Sequence, residues 1–174
     1  MIVLAIGDGK ALAPLTARRA PAALTYAGNY RVIDFALTNC MHSGLRRITV
    51  FTQFNALSLQ NHLRDGWSIF NTDLGEFVTA VSPPITEELS IYSGQANALF
   101  QNLYFLDGST EDTVIVVSGE QIYRMDYAAI LQRHAEHNAD VTVVTIDRDT
   151  ADGVGFSAHL AVNGEELLGI EPQE

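Results

Sequence analysis

The chain has 174 residues, enough for one compact domain with a sizeable core, and 47% of them are apolar. Ten basic against 21 acidic residues give a formal charge of −11, which argues against nucleic acid and anionic membranes as partners, since both need clustered cations. The single cysteine, Cys40, excludes an internal disulfide and a cysteine-based zinc cage. No apolar run approaches a membrane span, and the N-terminus lacks the basic start and cleavage site of a secretory signal, so the expected setting is cytoplasmic.

In chain order, Ile2-Val3-Leu4-Ala5-Ile6 predicts a buried strand. It breaks at Gly7, Asp8 and Gly9, where glycine tolerates a tight turn. A strand that empties into a glycine turn can present backbone N–H groups to a phosphate, although Gly7-x-Gly9 fits a plain strand and loop equally. Arg18 to Ala23 reads as irregular, and Tyr30 to Ile33 as extended. Asp34 sits where a helix N-cap would sit, with Leu37, Met41 and Leu45 at helical spacing and Gly44 as a stop. Arg47 to Thr52 predicts a second strand, Leu57, Leu59 and Leu63 a short helix, and Glu76 to Val81 another strand ended by Pro83-Pro84. Ala96, Leu99, Phe100, Leu103 and Leu106 predict one helix with a single apolar stripe.

Thr113 to Ser118 is apolar throughout, as in a strand covered on both faces. Asp126 is placed to cap a helix whose core face is Tyr127, Ile130, Leu131 and His134, with His134 a core residue rather than a ligand. Asp140 to Ile146 predicts another buried strand. Val154 to Val162 and Leu167 to Ile170 alternate loosely around Asn163-Gly164, a hairpin-turn pair. Strands separated by helices indicate an α/β domain with a mostly parallel sheet. Ligands bind beyond the carboxyl ends of such strands, which here places the Gly7–Lys10 loop, Thr52-Gln53 and Ser118-Gly119-Glu120 on one rim.

Several segments resemble one family. Tyr30-Arg31-Val32-Ile33-Asp34-Phe35-Ala36-Leu37-Thr38-Asn39-Cys40, with Ser43-Gly44-Leu45-Arg46-Arg47-Ile48, is similar to YRIIDFPLSNC and SGIRRI. Thr52-Gln53-Phe54 resembles TQY, and Gly94-Gln95-Ala96-Asn97-Ala98 with Gln101-Asn102-Leu103 resembles GTADA and QNL. Ser118-Gly119-Glu120-Gln121-Ile122-Tyr123-Arg124-Met125-Asp126-Tyr127 resembles SGDHIYKMDY. These are motifs of the nucleotidyltransferase domain of glucose-1-phosphate adenylyltransferase, or ADP-glucose pyrophosphorylase. The resemblance implies a Rossmann-like domain over residues 1–174, with a mostly parallel mixed sheet flanked by helices. It also implies a domain shortened at its C-terminus, without the family's C-terminal β-helix.

The family joins ATP to glucose 1-phosphate, giving ADP-glucose and pyrophosphate for glycogen or starch synthesis. The sugar phosphate attacks the α-phosphorus, and the protein orients the reactants and neutralises charge. By this resemblance Leu4, Ala5, Gly7, Gly9, Gln53, Gly94 and Gln95 are the nucleotide-binding candidates, and Glu120 is the candidate Mg²⁺ ligand. Gln53 also fits a solvated loop residue, Gly94-Gln95 a plain helix start, and Glu120 a surface carboxylate.

The charged positions depart from the pattern. The family's GGRGTRL reads Ile6-Gly7-Asp8-Gly9-Lys10-Ala11-Leu12, so Asp8 and Ala11 stand at the two arginines and Ile6 at the first glycine. Pro21 takes the lysine position of RAKPA, Glu120 the aspartate of SGDH, and Asn97 the aspartate of GTADA. No catalytic set is intact, and Lys10, Arg18 and Arg19 are the candidate substitute cations. The expected role is therefore a relative with little or no catalysis that binds a nucleotide or sugar nucleotide, or partners a related subunit or a second copy. The alternatives are an active nucleotidyltransferase with a rewired pocket and a structural interaction module with an empty one.

Overall fold

The computed structural model describes residues 1–84, 91–107, 111–145, 158–163 and 166–172. It separates into two compact units, Met1–His137 and Asn138–Glu174.

The first unit is built on a four-stranded parallel sheet. Its strands are β1 (Ile2–Ala5), β4 (Arg47–Thr52), β5 (Phe77–Val81) and β6 (Val116–Ser118), in the order β5-β4-β1-β6. Ile2 pairs with Thr49 on one side and Val116 on the other. The two-residue strands β2 (Thr25–Tyr26) and β3 (Tyr30–Arg31) form a separate antiparallel ribbon. The helices are α1 (Val32–His42), α2 (Leu57–Gly66), α3 (Gln95–Gln101), α4 (Tyr104–Asp107) and α5 (Tyr127–Glu136).

Central strand β1 is buried at all four residues because both sheet faces are covered. Successive side chains point to opposite faces. Val3 and Ala5 join Ile33 and Leu37 of α1, Leu59 and Leu63 of α2, and Tyr127 of α5. Ile2, Leu4 and Ile6 pack on the other face with Phe51, Tyr92 and Ala98 of α3. Complete burial of Ile33 and Leu37 contributes about 1.5–3 kcal/mol each. Cys40 is free and fully buried in the first of these clusters.

Several expectations need correction. Asp34 is the third residue of α1 and not its N-cap. It still serves the helix start, because its Oδ2 accepts the N–H of Arg31 at 2.7 Å. The stripe from Ala96 to Leu106 is two short helices broken at Asn102-Leu103, and Phe100 is 72% exposed. The Asn102 amide donates to the Ala98 carbonyl and to the Tyr92 hydroxyl, the kind of side-chain bond that competes with a continuing helix. Among the described residues β6 is the outer strand of the sheet, and Val116 is exposed rather than covered on both faces. Residues 140–145 form no strand, and Val141 is 75% exposed, because β-branched residues pair only where a ladder is completed; Ile146 lies outside the described residues.

Other framework expectations are matched locally. Gly44, at φ 75°, follows α1, and Asp126 caps α5 by accepting the N–H of Ala128. Arg31 donates to the Ala23 carbonyl and to Ser58, Arg47 pairs with Glu111, and Arg46 lies over the Phe70 ring. In the second unit, β7 (Ala158–Asn163) and β8 (Glu166–Pro172) form an antiparallel hairpin. Its turn at residues 164–165 and the stretch 154–157 of the expected strand lie outside the described residues. No helix among the described residues is long and apolar enough to cross a membrane.

Candidate functional site

A cleft of about 290 Å³ opens where β1 and β4 end. Parallel strands all finish on the same side of a sheet, so the residues just past each end are brought together although far apart in sequence. Ile6, Gly7 and Asp8 follow β1, Gln53 and Phe54 follow β4, and Glu120 lies two residues past β6. The loop Tyr92-Ser93-Gly94 and the first residue of α3, Gln95, form the opposite wall, and Leu4 contributes to the lining.

Glycines deliver the charged side of the cleft. Gly119 packs so tightly on the core that an added Cβ would lie 2.8 Å from Val3 and 3.4 Å from Ile33, and its N–H donates to the Leu4 carbonyl. That close approach carries Glu120 to the end of β1, where its Oε1 accepts the N–H of Gly7 at 2.8 Å. Burial pushes the Glu120 carboxyl up, the Gly7 bond draws it down, and the nearby Asp8 charge pushes it up again. Gly9, at φ 69°, turns the chain into the short 3-10 turn Lys10–Leu12. The Thr16 hydroxyl ties this turn down by donating to the Gly9 carbonyl at 2.6 Å.

The loop's two charges neutralise each other. Lys10 Nζ lies 2.6 Å from Asp8 Oδ2, and the Lys10 N–H donates to Asp8 Oδ1. The Lys10 side-chain bond, more than any other contact, holds the Asp8 carboxyl below the usual range, and Asp8 raises the Lys10 ammonium in return. Among the described residues that line the cleft, none is Lys, Arg or His.

The uncharged side is held by side-chain amides. Gln53 Oε1 accepts the Tyr92 N–H at 2.6 Å, and Gln53 Nε2 donates to the Tyr92 carbonyl at 3.3 Å. Tyr92 is buried, takes the Asn102 amide on its hydroxyl, and packs on Phe51 with ring centroids 6.3 Å apart. Asn97 accepts the N–H of Ser93 and the amide of Gln101, which fixes the start of α3.

Six sequence-predicted residues meet in this cleft: Leu4, Gly7, Gln53, Gly94, Gln95 and Glu120. Ala5 faces the opposite side of the sheet, in the core with Val3. Gly9 shapes the turn without lining the cleft, and Lys10, Arg18 and Arg19 lie outside the lining as exposed side chains. Sequence reasoning assigned no part in the cleft to Tyr92 or Ser93. Nothing in the local sequence marks Tyr92; its bonds to Gln53, 39 residues away, and its packing on Phe51 bring it in.

Among the described residues, no three His, Cys, Asp or Glu side chains converge on a metal position. Glu120 offers one carboxylate, with one oxygen already on Gly7. Mg²⁺ prefers six oxygens and often takes one or two protein carboxylates plus substrate phosphates. The residues fit Mg²⁺ only as an ion carried in with the phosphates of a nucleotide.

Comparison with known proteins agrees with this architecture. The chain is 49% identical over 174 residues to glucose-1-phosphate adenylyltransferase 2 of Vibrio parahaemolyticus, covering 99% of this chain and 43% of that protein. It is 50% identical over 159 residues to glucose-1-phosphate adenylyltransferase 2 of Vibrio cholerae, covering 90% of this chain and 39% of that one. For the glucose-1-phosphate adenylyltransferase of Koribacter versatilis the identity is 41% over 152 residues, covering 87% and 36%. The chain thus spans about two fifths of the length of these relatives. Residues 1–158 match the nucleotidyl transferase family, and with its parallel sheet and its cleft at the strand ends the chain belongs to that family.

Proposed function

We propose that this chain binds the nucleoside part of a nucleotide or sugar nucleotide and carries out adenylyl transfer slowly or not at all. The observation that carries this reading is the Asp8–Lys10 ion pair on the glycine loop. Transfer to a sugar phosphate requires positive charge around the triphosphate as charge shifts along it. Here Lys10 is engaged by Asp8, Pro21 is buried at the position where the resemblance implies a lysine, and Arg18 and Arg19 stand outside the cleft. By analogy with other charge-stabilising donors, each missing cation removes on the order of 10²–10³ in rate.

The remaining lining suits a base and sugar. Leu4, Ile6, Phe54 and Tyr92 are apolar or aromatic, and Gln95 carries an amide that can meet a base edge, while both ends of the Gln53 amide hold Tyr92. The relatives are named for glucose 1-phosphate and adenylyl transfer, so adenine nucleotides and ADP-glucose are the ligands to try first. The reading also takes in a cytoplasmic setting, Mg²⁺ arriving with the nucleotide, and a related subunit or second copy as protein partner. The test is ADP-glucose formation from ATP and glucose 1-phosphate with Mg²⁺. The expected result is little or no product from the native chain and at least about tenfold more from Asp8→Arg. Fast turnover by the native chain, unimproved by Asp8→Arg, overturns the reading.

A second reading, an active enzyme with a rewired pocket, is favoured by the 87% exposure of the Lys10 side chain. Exposed ion pairs are weak and exchange partners readily, so Lys10 is able to leave Asp8 for a phosphate. Pyrophosphate release that is lost in Lys10→Ala, across a panel of nucleoside triphosphates and sugar phosphates, would favour it.

A further inference from the structure

The glycine loop gives backbone donors to the protein's own carboxylates. The Gly7 N–H donates to Glu120 Oε1 at 2.8 Å, and the Lys10 N–H to Asp8 Oδ1 at 3.0 Å. Glu120 sits so close to Gly7 that a Cβ there would fall 2.9 Å from its carboxyl carbon, with both oxygens nearer still. Glycine turns after a strand offer such N–H groups to bound anions. At Gly7 an anion from within the chain takes that place.

The placement is built by the fold. Gly119 is held against Val3 and Ile33 and bonded to the Leu4 carbonyl, and the Ser118 hydroxyl accepts the Glu120 N–H at 3.1 Å. Asp8 adds a second carboxylate to the same rim. The cleft therefore has an acidic end and an uncharged end. The uncharged end retains the amides of Gln53 and Gln95 and the rings of Phe54 and Tyr92.

We propose that Glu120 is a built-in anion seated where a phosphate would bind, so that the cleft takes an uncharged nucleoside in preference to its triphosphate. This rests on the reading that the cleft holds the base and sugar of a nucleotide. A phosphate entering at Gly7 must either displace Glu120 from the N–H or lie beside its carboxylate, the Asp8 charge being paired with Lys10. At about 4 Å, one like charge weakens binding about fivefold under bulk-water screening, and more under the partial screening of a cleft. A nucleoside meets neither obstacle.

The test is calorimetric titration of the full chain with adenosine and with ATP, in EDTA so that no divalent ion masks the phosphate charge. Three proteins are compared: the native chain, Glu120→Gln, which keeps the seat filled without charge, and Glu120→Ala, which empties it. The native chain is expected to bind adenosine at least about fivefold more tightly than ATP. ATP affinity should rise from native to Gln to Ala, by about tenfold or more in all and by more than any change in adenosine affinity. ATP binding as tight as adenosine in the native chain, or equal in all three proteins, overturns the proposal. Failure of both ligands to bind any of the three overturns the nucleotide reading of the cleft and this proposal with it. If thermal unfolding shows that Glu120→Ala does not fold, the native and Gln pair decides.

Discussion

Replacing Asp34 by alanine tests how α1 and α2 are joined. Asp34 is 7% exposed and serves three partners. Its Oδ1 accepts the Trp67 indole N–H at 2.8 Å and lies 2.6 Å from His62 Nε2, while Oδ2 accepts the Arg31 N–H at 2.7 Å. Hydrogen bonds to a charged group are worth about 1.5–3 kcal/mol each, and a buried donor left without a partner costs about 1–3 kcal/mol. Trp67 is 9% exposed, so its indole N–H finds little water when the carboxylate goes. Some of the loss is recovered at the more accessible His62, which leaves an expected cost of about 3–5 kcal/mol. That is a large part of the roughly 5–15 kcal/mol that holds a domain folded. Asparagine keeps one acceptor but turns an amide NH₂ toward one of the donors, and should cost about 1–2 kcal/mol. Urea unfolding reads this directly, because Trp67 is the only tryptophan in the chain and reports from the site itself. A loss below about 1 kcal/mol for Asp34→Ala would refute the reasoning.

Three further outcomes follow from the same geometry. Burial pushes the Cys40 thiol up to about 12, so a thiol reagent at neutral pH should leave the native protein unmodified and react promptly once urea unfolds it. The Glu120 carboxyl is raised above its ordinary value of 4.5, mainly by burial. The folded state therefore holds that proton more tightly, and Glu120's contribution is fully present below about 4.5 and lost as pH rises through the folded value. Thermal melts across mildly acidic pH should show this decline, and Glu120→Gln should flatten it. A methyl group on Gly119 would press on Val3, so Gly119→Ala should lose about 1–3 kcal/mol in a denaturant melt and shift Glu120 as well.

The parts of the fold legible in the sequence are those whose signals are local. The β-branched run at Arg47–Thr52 and the cap at Asp126 each depend on neighbours a few residues away. β6 was misread because its cover depends on its place at the edge of the sheet, which no window of residues contains. The break after α3 depends on the Asn102 amide reaching Tyr92 as well as Ala98. The site divides in the same way. Parallel strands make the rim predictable, so Gly7, Gln53 and Glu120 were anticipated together. What each does there was not, because the Gly7–Glu120 bond spans 113 residues and the Gln53–Tyr92 pair 39.

The Gln53–Tyr92 pair makes one side chain act as a ruler. Its amide bonds both the N–H and the carbonyl of Tyr92, as a neighbouring strand would. The length of its flexible stem thereby helps to set the gap between β4 and the far wall. Shortening that stem to asparagine would draw the wall inward without touching the sheet. Two proteins sharing this fold can differ in the width of the cleft through one methylene at position 53.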